Sequence, residues 1–271
     1  MREAFHLAFK NYPVRFQLSE EQFYSRFVEK LHIDYSYSFG AFDRERLVGF
    51  IFVAISPYQG VLTCYNGGTG VVPEYQGKGL SREIYKEISA GLRAMGVKRH
   101  LLEVITENER AIAAYHKYGF EITRLFHCYQ LRGALREVQL SEDIIIRKAV
   151  VIQFPAYVEF QDIEASFIDS NNHLLHHLGK EVTLEAYDQN KLVGYLIFQP
   201  EFGRISQMGV DPAHRRRGIG TALLEKAMQM SIQKNLTILN IEEKEEGIAG
   251  FFLANGFSRM LSQYEMVRNL S

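Results

Sequence analysis

The chain has only two cysteines, Cys64 and Cys128, among its 271 residues. They stand far apart and in no metal-ligand spacing, which argues against a disulfide framework and fits reduced thiols of a cytosolic protein. No apolar run approaches the roughly 18 residues that a membrane span needs. The opening MREAFHLAFKNYP mixes charge with aromatics and lacks a signal-peptide core, so the expected compartment is the cytoplasm. Surplus charge is missing too. A formal net charge of -1 offers no global attraction to nucleic acid or to anionic lipid, and neither is an expected partner. What the chain does have is apolar content, 46%, enough for a buried core, and a length that suggests two domains at roughly 150 residues each.

Local pattern predicts alternating elements. Phe5 and Phe9, then Phe23, Phe27 and Leu31 beyond Pro13, recur at helical steps over 1–31, which predicts two amphipathic helices. SYSFGAFDRERLVGFIFVAIS reads as a hairpin turning at Asp43 to Arg46. VLTCYNGGTGVV is a strand whose Gly67 and Gly68 mark a bulge or a close backbone approach. Ile84, Ile88 and Leu92 line a helix that stops near Gly96, and RHLLEVIT is a strand. Asn108 opens a helix that Gly119 ends, and EITRLFHCYQL is a last strand.

The chain then repeats itself. AFDRERLVGFIF at 41–52 matches AYDQNKLVGYLIF at 186–198, VPEYQGKGLS matches DPAHRRRGIG, and YHKYGF matches FFLANGF. Three blocks in the same order imply a duplicated α/β or α+β domain. The join is expected in RGALREVQLSED, giving domains 1–135 and 136–271. Residues 150–180 show weaker helical periodicity than 1–31, so the second copy is expected to have lost part of a helical face.

Each copy carries a strand-to-helix turn rich in glycine. The free N–H groups of a first helical turn and the helix dipole favour an anion there. Gly77 and Gly79 let a phosphate approach the backbone, and Lys78 and Arg82 add charge. Neither the P-loop nor the Gly-x-Gly-x-x-Gly dinucleotide spacing is present. What stands instead is Gln76-x-x-Gly79-x-Ser81 in the first copy and Arg215-x-x-Gly218-x-Gly220 in the second.

This pattern resembles the pyrophosphate loop of the GNAT superfamily of N-acetyltransferases, Gln/Arg-x-x-Gly-x-Gly/Ala. The second copy fits fully; in the first, Ser81 replaces the last small residue. The resemblance implies two tandem GNAT domains, each a mixed, mostly antiparallel sheet with splayed central strands flanked by helices. It implies acetyl-CoA as cosubstrate, lying between strands at 61–72 and 100–106, and direct attack on the thioester by a primary amine of a small molecule or peptide. Val71, Val72, Gln76, Gly77, Lys78, Gly79, Leu80, Ser81, Asn108 and Tyr115 would hold the coenzyme, the thioester resting on main-chain groups near Val71 and Val72. Arg215, Arg216, Arg217, Gly218, Ile219 and Gly220 would form a second coenzyme site. Tyr115 takes the place of the general acid. A base is needed to free the amine of its proton, and the candidates are Glu103 and Tyr65. Tyr12, Phe16 and Phe126 would frame an aromatic acceptor cleft.

Plainer readings stand beside these. Tyr115 also falls on an apolar stripe with Ile112, Asn108 is a good N-cap on composition alone, and Glu103 fits a solvated strand position. The arginine run fits an exposed helix start better than a nucleic-acid contact. His173, His176 and His177 have no partner at ligand spacing, so they read as polar surface and no metal is expected. Aligning the copies sets Phe252 opposite Tyr115 and Glu245 opposite Asn108. Phe keeps the volume and removes the proton donor, so the first copy is expected to be catalytic and the second degenerate. A non-catalytic acyl-CoA-binding scaffold, or activity in the second copy, are the competing readings, with a monomer or a homodimer as the assembly.

Overall fold

The computed structural model describes residues 1–10, 18–135 and 138–270. Contacts divide the chain into two compact units: unit 1 is Met1–Thr123 with Glu265–Ser271, and unit 2 is Arg124–Tyr264.

Unit 1 begins with α1 (Arg2–Ala8) and α2 (Glu20–Phe23). Ser19 caps α2 reciprocally: its Oγ accepts the Gln22 N–H at 3.1 Å, and the Gln22 side chain accepts the Ser19 N–H at 3.2 Å, which satisfies two donors that a helix start leaves open. The helix then widens into a π turn over Tyr24–Glu29. The periodic phenylalanines meet as predicted, with Phe5 4.5 Å from Phe9 and 4.6 Å from Phe27, ring centre to ring centre. They pack with Phe23, Phe50 and Phe52 into the core of this unit.

β1 (Phe39–Asp43) and β2 (Arg46–Tyr58) form the hairpin, and β3 (Val61–Val71) pairs with β2. Phe52 faces Gly68 while Val53 faces Asn66, so Gly67 is the extra residue of a bulge, as the glycine pair predicted. The polar turn leads into α3 (Leu80–Ala94), which buries Ile84, Tyr85, Ile88 and Leu92 and stops before Gly96. β4 (Arg99–Ile105) runs parallel to β3, and α4 (Glu109–Lys117) follows the Asn108 cap, with Gly119 at φ 86° beyond its end. The sheet order is β1-β2-β3-β4, and the C-terminal segment lies next to β4. There Leu270 N–H donates to Lys98 O at 2.8 Å, Arg268 Nη1 to Ser89 Oγ at 3.1 Å, and Thr123 Oγ1 to Glu265 Oε1 at 2.8 Å.

Unit 2 repeats the plan. β5 (Glu121–Arg132) enters it from Arg124 on. Then come β6 (Ile144–Lys148), α5 (Phe154–Val158), α6 (Asn171–Leu175), β7 (Val182–Asp188), β8 (Lys191–Gln199), β9 (Arg204–Val210), α7 (Ile219–Met230), β10 (Asn235–Glu242), α8 (Glu246–Ala254) and β11 (Ser258–Asn269). The order is β6-β7-β8-β9-β10-β5 with β11 beyond, and β11 passes into unit 1 from Glu265. Residues 124–135 thus cluster with unit 2 and 265–270 with unit 1. This division differs from the repeat boundary at 135/136 because strand pairing, not sequence order, decides where contacts fall.

The weak periodicity of 150–180 corresponds to α5 and α6, five residues each. They still cover a sheet face: Tyr157 is fully buried and stacks on Tyr195 at 4.1 Å. Polar groups hold the rest of that face. Arg204 makes two 2.7 Å bonds to Asp169, and Ser206 donates to Glu181. His173 and His177 are buried here, which corrects their reading as polar surface. His177 lies 3.5 Å from Glu181 and 3.4 Å from Gln199; the alternation of a polar sheet face hides such burial from sequence. No group of metal-ligating side chains occurs among the described residues.

Candidate functional site

The first turn is open. Gly77 and Gly79 have φ of 76° and 77°, a region that costs other residues about 1–2 kcal/mol. A Cβ on either would meet nothing within 4 Å. Gly79 caps α3 without a side-chain hydrogen bond. Among the described residues, no hydrogen bond uses the N–H of Gly77, Lys78, Gly79, Leu80 or Ser81. The loop therefore presents a row of bare amides at a helix N-terminus, the arrangement that binds an anion. Lys78, Arg82 and Arg110 surround it with no carboxylate partner among the described residues, while Lys78 rests over the Tyr75 ring at 4.9 Å. Gln76 turns inward, its amide donating to Val71 O at 3.0 Å. Ser81, the departure from the family pattern, is 2.9 Å from the Tyr118 hydroxyl.

Beside this loop the sheet parts. Pairing of β3 with β4 runs from Thr63–Arg99 to Asn66–Leu102 and ends there, at the Gly67 bulge, although both strands continue. The resulting gap lies between the two segments that the resemblance singled out. Val72 N–H is used by Val48 O at 2.9 Å, so by alternation Val71 N–H faces the gap. Asn108 caps α4 with Oδ1 on the Ala111 N–H at 3.2 Å, which leaves its NH2 for another acceptor.

Acid and base candidates occupy opposite sides of the sheet. Tyr65 and Glu103 share one face, joined by a 3.2 Å hydrogen bond from the Tyr65 hydroxyl to Glu103 Oε2. Asn66, one residue on, turns to the other face and reaches Tyr85 of α3. Tyr115 belongs to that second face, its ring 6.1 Å from Tyr85 and 5.8 Å from Phe120. The aromatic packing expected for Tyr115 and its hydroxyl chemistry are compatible, since the ring is only partly buried.

The second turn is closed. Gly218 caps α7 at φ 82°, but a Cβ there would overlap Val138 Cγ2 and lie 3.8 Å from Gln139 O. A Cβ on Gly220 would press on the Phe251 ring at 3.0 Å. Arg215 binds Asp162 at 2.7 Å and Arg217 binds Asp188 at 2.9 Å, while Arg216 takes φ 64°. Ile219 is buried. Counted from the cap, Glu245 and Phe252 fall on the places of Asn108 and Tyr115, but Glu245 makes no capping bond and Phe252 is 1% exposed.

Of the expected acceptor residues, Tyr12 and Phe16 lie outside the described residues, and Phe126 is fully buried in unit 2 under Arg124, 4.6 Å from its ring. Sequence reasoning passed over a cavity of about 490 Å³ in unit 1, lined by Met1, Ala4, Tyr35, Phe39, Phe42 and Arg46 among others. None of its lining residues comes from β3 or β4. It also passed over Asn66, Thr69 and Tyr85.

A bare-amide turn after a bulged strand, beside a parallel neighbour that splays away, marks the first copy of an α/β domain whose strand, turn and helix the second copy repeats with its turn covered. The acetyltransferase (GNAT) family model matches residues 1–120, and the acetyltransferase (GNAT) domain model matches residues 179–259. The chain belongs to the GNAT superfamily, as a tandem of two GNAT domains. Over 113 residues it is 26% identical to N-alpha-acetyltransferase 30 of Schizosaccharomyces pombe, spanning 41% of this chain and 75% of that protein. In fold it is similar to a GCN5-related N-acetyltransferase from Sphaerobacter thermophilus, with TM-score 0.74 and 15% identity over 99% of this chain and 91% of the other. It is also similar to a tandem GNAT protein from the clavulanic acid biosynthesis pathway, with TM-score 0.71 and 15% identity over 99% and 93%. Among the described residues no helix is long and apolar enough to cross a membrane.

Proposed function

We propose that the chain is an acetyl-CoA-dependent N-acetyltransferase of primary amines whose working half is the first repeat, 1–135, while 136–271 is a degenerate copy. The observation that carries this reading is the contrast of the turns: bare amides and unpaired cations around Gly77 and Gly79, against linker atoms and paired arginines around Gly218. The diphosphate of the coenzyme fits the first turn, with Gln76 to Ser81 around it, and the acyl arm follows the gap past Val71, Val72 and Asn108. The acceptor amine, freed of its proton by Glu103 or Tyr65, attacks the thioester carbon. The C–N bond forms, the C–S bond breaks, and the electron pair leaves on sulfur, which takes the Tyr115 proton. Proton transfer of this kind contributes about 10²–10⁴ in rate. Two buried free cysteines accord with a reducing cytoplasm.

The S. pombe relative makes peptide N-terminal amines the first acceptors to try, followed by small primary amines. Purified protein, acetyl-CoA and this panel are incubated while free thiol is read. Amine-dependent thiol release is expected. Calorimetric binding of acetyl-CoA with no release over every amine would favour a coenzyme-binding scaffold, and no binding at all would remove the proposal.

A further inference from the structure

The two turns anchor one loop position in the same way and differ in the charge it carries. Gln76 and Arg215 are equivalent in the repeat. Gln76 Nε2 donates to Val71 O at 3.0 Å, and Arg215 Nε donates to Val210 O at 3.1 Å. Each side chain thus holds the carbonyl that ends its strand, β3 in the first copy and β9 in the second. An arginine brings a positive charge to that place, and a glutamine brings none.

In the first copy the charge arrives from another element. Arg110 stands in the first turn of α4, two residues beyond the Asn108 cap, and its Nη1 donates to Gln76 Oε1 in a long bond of 3.4 Å. The amide orientation agrees with this: with its NH2 on Val71 O, Gln76 has only its oxygen to offer a guanidinium. A guanidinium carries five N–H donors, and Gln76 takes one of them. Arg110 is exposed and pairs with no carboxylate among the described residues. Counted from the caps, its counterpart in the second copy is Gly247. The first copy therefore sets a neutral loop residue beside a cationic helix residue, and the second sets a cationic loop residue where the helix has no side chain at all.

We infer that Arg110 is a phosphate-binding residue: it supplies from α4 the positive charge that Gln76 leaves out of the turn, and it contacts the diphosphate of a coenzyme bound on the amides of Gly77 to Ser81. Gln76, held by the Val71 carbonyl, keeps the guanidinium beside the loop. The inference rests on the coenzyme reading of the first turn.

Calorimetry with two ligands tests it: acetyl-CoA, and acetyl-3′-dephospho-CoA, which keeps the diphosphate and lacks the other phosphate. Arg110→Gln is expected to weaken both about tenfold, the scale of a hydrogen bond to a charged ligand, and the gap to wild type should narrow as salt rises, because the guanidinium is exposed. Its melting should match that of wild type. Gln76→Arg added to Arg110→Gln should restore most of the affinity, with a guanidinium now on the Val71 carbonyl as Arg215 is on that of Val210; a packing role for Arg110 on α4 would not be repaired from the loop. Unchanged affinity in Arg110→Gln, a loss confined to acetyl-CoA, or a loss that Gln76→Arg does not repair each overturns the inference and leaves the coenzyme reading in place. Wild-type protein that binds neither ligand removes that reading and the inference with it.

Discussion

The two turns began as near copies, and what separates them now is mainly what lies beside them. Around Gly79 there is open space and unpaired positive charge. Around Gly218 the same left-handed cap is overlaid by Val138 and Gln139, and two arginines that would meet a phosphate are neutralised by Asp162 and Asp188. The second turn carries the fuller family motif and is the more covered of the two. A motif describes backbone shape; whether the shape is available depends on residues far along the chain.

The sharpest way to break this comparison is at Tyr115. Its conversion to Phe, the residue that the second copy carries at this place, should lower thiol release by about 10²–10⁴ with acetyl-CoA affinity kept, and an unchanged rate would remove Tyr115 from the chemistry. Next come the glycines. Gly79→Ala puts a methyl group and backbone strain where the proposed diphosphate site is and should weaken acetyl-CoA binding about tenfold, the loss expected when a hydrogen bond or two to a charged ligand is obstructed. Gly218→Ala pushes on Val138 and should lower the melting temperature while leaving that binding alone. Calorimetry on both variants decides: equal losses would show that both turns hold coenzyme.

A third difference concerns pH. His100 in β4 is enclosed by the rings of Tyr85 and Phe120, and burial, helped by the Arg268 charge, pushes it down to about 3. Its counterpart, counted from the caps, is Thr237, which does not titrate. Folded unit 1 keeps the imidazole neutral while the unfolded chain takes up a proton below about 6.5. The unfolded state then binds more protons, so stability falls as pH drops from about 6.5 toward 3, by about 1.4 kcal/mol per pH unit, and nothing is lost above that window. The urea midpoint of wild type should fall relative to that of His100→Phe as pH drops through this window. A gap between them that stays constant from pH 7 to 4 would deny the buried neutral histidine. The smallest effect is expected from Val138→Gly, which uncovers the second turn; a weak second coenzyme-binding event would sharpen the comparison, and its absence would assign the loss of function to Asp162 and Asp188 instead.

Much of unit 1 was legible because its signals are local. The Gly67–Gly68 bulge, the Asn108 cap, the Gly96 and Gly119 stops and the turn itself each depend on a few neighbouring residues whose backbone needs are written in their side chains. The clustering of Arg124–Leu135 with unit 2 was not legible, since a strand such as β5 has the same alternation whichever neighbour it pairs with. The cover on Gly218 comes from a linker some eighty positions earlier, and no periodicity connects them. Tyr85 was hidden for another reason: it stands beside Ile84 on an apolar stripe, where an aromatic residue reads as core. It is core, and its hydroxyl still takes a hydrogen bond from Asn66 and shares one with Thr69.

The seating of Glu265–Leu270 against β4 also orders events in time. A nascent chain that has supplied every residue from Gln76 to Tyr115 still lacks the amide that Lys98 awaits, because the whole second repeat is made before Leu270. The flank of β4 therefore stays unpaired until the second repeat has been made, and a product cut before Glu265 carries the first turn without that support.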